Sequence, residues 1–305
     1  MIMEPLIPIF CIIVLGFAVS RTPVSSRSVW EGLERLTYYL FFPALLISRL
    51  SATRFEAAKL LDIGLSLGLA LLVFTLLFAG LHRFIAERRD SLGSVYQGSI
   101  RFNTYIGLAC IEAIYGDTGL TLAALCLLVY IPVVNVLSVI ALTAQGREGN
   151  RITVVTGSVL TNPLVLACLF GTVLGLYEVD VPEIVLALLD VLSQPALPLG
   201  LLAVGAGIRF LSFGRQSWQL AVAVLGKLLI FPALVAMATQ LLGVPADLAA
   251  VLLLLTCLPA PPSAYILARQ LGGDVSLMAN IITLQTVVAF FTIPVWLEVG
   301  NCLLW

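Results

Sequence analysis

Long apolar stretches fill most of this 305-residue chain, and they constrain its fold more than any other feature. A helix needs about 20 mostly apolar residues to cross the hydrocarbon core of a bilayer. Stretches of this kind cover residues 5–20, 33–50, 60–83, 95–115, 119–143, 152–176, 184–208, 217–241, 247–270 and 275–298. The sequence therefore predicts an all-α polytopic membrane protein with ten transmembrane helices.

The composition argues against several other classes of protein. Charged residues make up 11% of the chain and apolar residues 60%, whereas a soluble domain carries about 25% charged residues. The 16 basic residues are balanced by 17 acidic ones, so there is no excess of positive charge for binding nucleic acid. An outer-membrane barrel is not expected either, since its strands are alternating segments of about 10 residues.

The basic residues indicate the orientation of the predicted helices. Cytoplasmic loops are enriched in Lys and Arg. Eleven basic residues lie in one set of alternate loops, three (Arg49, Arg54 and Lys59) lie in the opposite set, and two lie within spans. This asymmetry predicts a cytoplasmic (inner) membrane protein with both termini on the periplasmic side. No basic residue precedes Arg21, so we expect the first span to be retained rather than cleaved as a signal peptide.

Ten spans divide into two halves of five, and an odd number of spans in each half makes the halves inverted relative to each other. Short matches fall at corresponding places: Pro43-Ala44-Leu45 against Pro195-Ala196-Leu197, and Gly116-Asp117 against Gly273-Asp274. Transporters often use inverted repeats with a substrate site at their interface. The predicted repeats cover residues 1–143 and 152–305, and a short cytoplasmic link covers 144–151.

The fourth and ninth spans carry residues that break a membrane helix. The fourth contains Arg-Phe-Asn-Thr-Tyr-Ile-Gly from Arg101, and the ninth contains Leu-Pro-Ala-Pro-Pro-Ser from Leu258. Each proline removes a backbone donor and clashes with the preceding turn. In lipid, the carbonyls freed by a break need partners, so a break survives only against protein or a wet cavity. The alternative is a pair of ordinary proline kinks, which membrane helices tolerate.

Two breaks at matched positions predict a binding site for an anion. Half-helices that begin at Pro261 or Pro262, and at a cap formed by Asn103 or Thr104, would present free N–H groups and positive dipole ends near the midplane. A carboxylate fits between such ends. Asn162 either provides a hydrogen-bonding group near the midplane or caps the helix that follows it. The candidate substrate-binding residues are Asn103, Thr104, Tyr105, Asn162, Pro259, Pro261, Pro262 and Ser263.

Two basic residues lie inside predicted spans, where a charge is costly. Arg101 and Lys227 suit an anionic substrate, although Arg101 has the alternative of extending to the cytoplasmic edge. Lys227 lies near the centre of its span, which predicts a buried polar network or a role in proton coupling. Its candidate partners are Asp62 and Glu112, and Glu112 has the alternative of facing the outer interface. Gln285 either lines the transport path or makes interhelical hydrogen bonds. The candidate charge or coupling residues are Arg101, Lys227, Glu112 and Gln285.

The sequence carries no sign of an enzyme, a metal site or a cofactor site. HExxH and GxSxG motifs are absent, and the lone histidine, His82, belongs to no ligand cluster. Asp117 and Asp274 are not expected to form a protease pair, because the predicted topology puts them on opposite sides of the membrane. The six cysteines lack CxxC spacing and predict neither disulfides nor a zinc site.

Several motifs resemble the auxin efflux carrier family, in its bacterial branch. They are the Arg-x-Asn-Thr-x-x-Gly pattern from Arg101, Thr161-Asn162-Pro163, the Leu-Pro opening of the break in span nine, Gly272-Gly273-Asp274, and Gln285-Thr286. The resemblance covers essentially the whole chain. It implies two inverted five-helix repeats in which helices four and nine are broken and cross. It also implies a relation to the plant PIN auxin exporters and, more remotely, to bile-acid sodium symporters.

The resemblance further implies a mechanism. Spans one, two, six and seven would form a scaffold, and spans three to five and eight to ten a transport domain that moves like an elevator. Asn103 matches the crossover asparagine that contacts the carboxylate, and Asn162 matches the asparagine of the sixth span. Homodimers are usual in the plant branch. Sodium coupling is not expected, because span nine lacks the acidic and glutamine residues that hold sodium in the bile-acid branch.

Together these features predict a secondary active or facilitative transporter of small organic anions, such as malate, malonate or auxin-like acids. The expected partners are the carboxylate substrate, the lipid bilayer and a second copy of the chain, without nucleic acid. The direction of transport stays open, as does the choice between proton coupling and uniport. The alternative is a membrane receptor or sensor that binds a carboxylate without transporting it, and a channel is a third hypothesis.

Overall fold

The computed structural model describes residues 4–23, 25–52, 57–85, 89–144, 161–209 and 217–304. Within these ranges the secondary structure is helical, and no strand occurs. The π-helical segments Thr37–Phe41 and Gly226–Ile230 each join two α-helices. The α-helices are α1 (Leu6–Val19), α2 (Arg27–Leu36), α3 (Phe42–Ser51), α4 (Ala57–Ile85), α5 (Arg89–Ile100), α6 (Thr104–Thr143), α7 (Pro163–Leu176), α8 (Glu183–Ser193), α9 (Ala196–Gly207), α10 (Ser217–Leu225), α11 (Phe231–Leu241), α12 (Ala246–Thr256), α13 (Ser263–Leu271) and α14 (Val275–Leu304).

Long apolar helices confirm the predicted all-helical membrane fold. Among the described residues, five helical stretches are long and apolar enough to cross a membrane. They are Lys59–His82, Ser91–Thr143, Glu183–Gly207, Ser217–Leu241 and Val275–Cys302. Shorter apolar helices are α1, α7 and α12. The number of ten spans and the inverted repeat stay predictions.

The stretch Ser91–Thr143 is 53 residues long, more than twice what one crossing needs, and the structure divides it. The helix ends at Ile100 and restarts at Thr104. Gly116 interrupts α6 with a φ of 60° and a ψ of −152°. Residues with a Cβ rarely adopt a positive φ, so glycine suits this turn. It falls where the predicted fourth span gives way to the fifth.

The chain divides into two compact units. Unit 1 comprises Met1–Leu60, Tyr105–Ile131 and Leu160–Gly207. Its helices approach closely at glycines, as is common in membranes. A Cβ on Gly205 of α9 would overlap the Ile13 carbonyl of α1, and one on Gly16 would overlap the Leu202 carbonyl. Gly171 of α7 packs in the same way against Leu50 of α3.

Unit 2 comprises Leu61–Thr104, Pro132–Val159 and Ile208–Trp305. Its core includes a cluster of buried apolar side chains, most of them from α5, α10, α13 and α14, and four of them are alanines. Gly98 of α5 packs against Ile281 and Met278 of α14. Each unit draws on both predicted repeats, so the repeat boundaries stay a prediction, and residues 145–151 of the predicted link lie outside the described residues.

Candidate functional site

Two interruptions of the helices lie together in unit 2. The first is Arg101–Asn103, between α5 and α6, and the second is Cys257–Pro262, between α12 and α13. The Asn103 backbone N–H donates a 2.8 Å hydrogen bond to the Pro259 carbonyl. This bond satisfies one freed group from each break, as a membrane interior requires. The sequence located both breaks, and the structure brings them into contact.

A side-chain contact also links the two breaks. The Arg101 Nη2 donates a 3.1 Å hydrogen bond to the Ser263 Oγ, while the Arg101 backbone N–H donates to the Gln97 carbonyl. Ser263 is the first residue of α13, so the guanidinium lies beside the positive end of that helix dipole. Two positive features side by side favour a negatively charged group between them.

The predicted substrate-binding residues of unit 2 differ in their burial. Asn103 is 1% exposed, and Pro259 is also buried. Thr104, the first residue of α6, is half-buried, as are Pro261, Pro262 and Ser263. The Pro261 and Pro262 carbonyls accept from the N–H groups of residues 264 and 265, so these prolines lead directly into the first turn of α13.

Gln285 of α14 makes interhelical hydrogen bonds, one of its two predicted roles. Its side chain is fully buried. The Oε1 accepts from the Ala260 N–H at 2.8 Å, and the Nε2 donates to the carbonyls of Gly98 at 3.0 Å and Ala223 at 2.9 Å. Thr286, its neighbour, donates to the Ile282 carbonyl of its own helix. The sequence did not reveal which groups Gln285 contacts.

Lys227 is fully buried on the π-helical segment that follows α10. Its Nζ lies 5.3 Å from the centroid of the Phe231 ring and has no hydrogen-bond partner among the described residues. The ion pairs of the described chain do not include it, so neither Asp62 nor Glu112 appears there as its partner. The Trp296 Nε1 donates to the Leu228 carbonyl, next to Lys227 in the segment. π-helical segments are frequent at functional sites.

The other predicted site residues belong to unit 1. Tyr105 is buried and stacks on Phe42 at a centroid distance of 4.7 Å. The Asn162 Oδ1 accepts from the backbone N–H groups of residues 164 and 165, so this side chain caps α7, as its alternative interpretation held. Glu112 is exposed and close enough to the Arg49–Asp117 ion pair, 2.8 Å long, to interact with it electrostatically.

The comparison with known proteins decides the family. The model of the family described as "Membrane transport protein" matches residues 1–297. The chain belongs to this family. It is the auxin efflux carrier family that the motifs resemble, so that prediction is confirmed. A protein of Rhizobium meliloti (strain 1021) named "Putative malonate transporter" is 25% identical over 283 residues, which cover 87% of this chain and 85% of that protein.

This member of the membrane transport family is a multi-pass membrane protein whose unit 2 carries a further cation that sequence reasoning missed. The Arg209 guanidinium lies 4.8 Å from the centroid of the Tyr265 ring, on the first turns of α13. The Arg209 backbone N–H donates to the Thr283 Oγ1. Arg209 is one of the eleven basic residues assigned to one set of loops from the sequence, and its position directly after the apolar span 184–208 was the available signal. Arg101 and Arg209 thus both contact residues of the same short helix.

Proposed function

We propose that this protein is a secondary transporter of small organic anions, with mono- or dicarboxylates as substrates. One observation carries the proposal: the two helix breaks pair through Asn103 and Pro259, with the Arg101 guanidinium on Ser263 beside them. An anion that leaves water loses hydrogen bonds. Backbone dipoles and a fixed cation in this arrangement can replace them. Membership of a transport family supports transport over binding alone.

The proposed substrate contacts are Asn103, Thr104 and the segment from Pro259 to Ser263. Arg101 supplies positive potential directly, and Lys227 supplies it from within the packed unit or carries a proton. Burying an amine that has no hydrogen-bond partner among the described residues is costly, so a role in function accounts for Lys227 better than a role in stability. The name of the Rhizobium meliloti relative makes malonate the first substrate to test.

Finer features of the mechanism belong to the same proposal. We propose ten transmembrane helices in two inverted repeats, an elevator-type movement of a transport domain, a homodimer, and both termini outside the inner membrane. The excess of basic residues in one set of loops supports the orientation. Protons are the proposed coupling ion, and Lys227, which is buried in unit 2, is the residue proposed to carry them.

A thermal-shift screen followed by uptake into proteoliposomes tests the function. Malonate, malate and indole-3-acetate would be compared at acidic and neutral pH, with and without sodium. A ligand that binds the folded state raises the melting temperature. We expect a shift with one carboxylate class, uptake of the same compound, and loss of both in Asn103→Ala.

The matched control for this screen is Asn135→Ala, which removes another buried asparagine, on α6. It is expected to retain both the shift and the uptake. A shift without uptake would instead identify a receptor or sensor. Uptake with unchanged affinity in Asn103→Ala would show that the helix breaks do not form the substrate site.

A further inference from the structure

Gln285 bonds three different segments of unit 2 with one side chain. Its amide oxygen accepts from the Ala260 N–H in the second break, and its amide nitrogen donates to Gly98 at the end of α5 and to Ala223 in α10. The side chain is fully buried. All three partners are backbone groups, so substitutions of their side chains leave these contacts in place. The network therefore depends on Gln285 itself.

Two of the three partners sit where the helices lose their own hydrogen bonds. Pro259, Pro261 and Pro262 have no N–H group, so Ala260 supplies the N–H donor within that run of four residues. Gly98 lies in the last turn of α5, where carbonyls lack partners from a continuing helix. One amide thus satisfies an orphan donor in one break and an orphan acceptor just before the other.

We infer that Gln285 is the positioning residue of the substrate site: it fixes the spacing between the two helix breaks. Gly98 is followed three residues later by Arg101, and Ala260 follows Pro259, the acceptor for Asn103. Moving Gly98 away from Ala260 therefore displaces the Arg101–Ser263 and Asn103–Pro259 contacts together. This inference rests on the proposed transport function, because its effect is measured on substrate affinity.

The hydrogen-bond chemistry of the amide explains why glutamine fills this position. One acceptor and a nitrogen with two hydrogens match one N–H and two carbonyls. A methionine has a similar length but offers neither strong donor nor strong acceptor. A glutamate retains the acceptor for Ala260, while its second oxygen replaces the nitrogen that donates to Gly98 and Ala223.

The test is a set of substitutions in the full-length protein, measured by malonate uptake into proteoliposomes. Gln285→Met is expected to raise KM about tenfold or more, while the maximal rate per folded molecule falls less. The control is Thr286→Val, which removes a buried hydroxyl from the neighbouring position, where its hydrogen bond to the Ile282 carbonyl stays within α14. We expect the control to keep the wild-type KM.

A double-mutant cycle separates positioning from a general loss of stability. Because Gln285 acts through the site, Gln285→Met and Arg101→Met are expected to raise KM by less together than the product of their separate effects. A merely structural role would instead lower the melting temperature and leave the effects on KM multiplicative. Multiplicative effects, or a wild-type KM in folded Gln285→Met, would overturn the inference.

A second variant covers the case in which Gln285→Met does not fold. Gln285→Glu keeps the bond to Ala260, so its KM is expected to lie between those of the wild type and Arg101→Met. A wild-type KM in Gln285→Glu would show that the bonds to Gly98 and Ala223 do not position the site. Absence of malonate uptake in the wild-type protein would count against malonate as the proposed substrate. In that case the same variants would be compared by the thermal shift with whichever carboxylate binds.

Discussion

Both units pack apolar helices at glycines, but only unit 2 combines this packing with the paired helix breaks described above. In unit 1, glycines bring backbones together, as Gly205 does at Ile13 and Gly16 does at Leu202. In unit 2, the helices are interrupted, and side chains such as Gln285 bond the backbone groups that the interruptions release. Glycine packing needs no polar partner, whereas a broken helix in a membrane does. The second arrangement is costlier to build, but it provides polar backbone groups that a substrate can also use.

The largest expected effect on stability comes from breaking the glycine contact in unit 1. A Cβ on Gly205 would overlap the Ile13 carbonyl, which belongs to a rigid helix, so Gly205→Leu forces α1 and α9 apart. Overpacking costs about 1–3 kcal/mol and sometimes more. The measurement is the melting temperature, together with the fraction of monodisperse protein in gel filtration.

Gly207→Leu is the matched control for this substitution. It lies in the same helix, and a Cβ there meets no heavy atom within 4 Å. Its melting temperature is expected to stay near that of the wild type. Equal losses in the two variants would show that the contact between α1 and α9 contributes little to the stability of unit 1.

The second prediction concerns the side-chain contact between the breaks in unit 2. Arg101→Met removes the hydrogen bond to Ser263 and the positive charge beside α13. In the proposed site the guanidinium attracts the anion, and a charge-assisted contact contributes about 1.5–3 kcal/mol, so the KM for the anion is expected to rise about 10–100-fold. The melting temperature should change little, because Arg101 is only half-buried.

The control for Arg101 is Arg269→Met, which removes an exposed arginine from the last turn of α13. Kinetics of anion uptake would be measured for both variants at matched amounts of protein. We expect Arg269→Met to keep the wild-type KM. A similar rise in both would indicate that overall charge, rather than the contact with Ser263, attracts the substrate.

The sequence predicted features that depend on local chemistry. The apolar stretches predicted membrane helices, because about 20 apolar residues suffice to mark one, and five helical stretches of this kind occur among the described residues. Pro259, Pro261 and Pro262 marked a break, since proline disrupts a helix whatever surrounds it. The resemblance of the motifs also led to the correct family. Each of these signals lies within a short window of the chain.

Contacts between distant residues did not follow from the sequence. Gln285 bonds to Gly98, which lies 187 positions away, and nothing in either residue type specifies that pairing. The sequence likewise left Asp62 and Glu112 as candidate partners for Lys227, and the ion pairs among the described residues include neither. Asn162 allowed two interpretations, and its two bonds to backbone N–H groups identify the cap. Polar residues in apolar helices are thus recognisable as important before their partners can be named.

The third prediction tests whether Asn162 in unit 1 acts on stability alone. Asn162→Ala removes the cap of α7, which costs about 1 kcal/mol. Asn162→Asp keeps an oxygen that can accept the same bonds and should retain most of the stability. The melting temperature and the KM for the anion would be measured in parallel. An unchanged KM in the alanine variant is expected, and a large rise would assign Asn162 to the substrate as well.

The fourth prediction concerns the π-helical segment of unit 2, where Trp296 donates a 2.6 Å hydrogen bond to the Leu228 carbonyl. Trp296→Phe keeps an aromatic ring but removes this donor, which is expected to cost about 0.5–1.5 kcal/mol. Trp218→Phe is the matched control, since Trp218 also donates to a backbone carbonyl but is exposed. Because water can replace a donor at an exposed site, thermal unfolding should show the smaller loss there. Equal losses in the two variants would show that the bond from Trp296 to the π-helical segment contributes no more to stability than a bond at the surface. The contrast between the two units would then rest on the helix breaks alone.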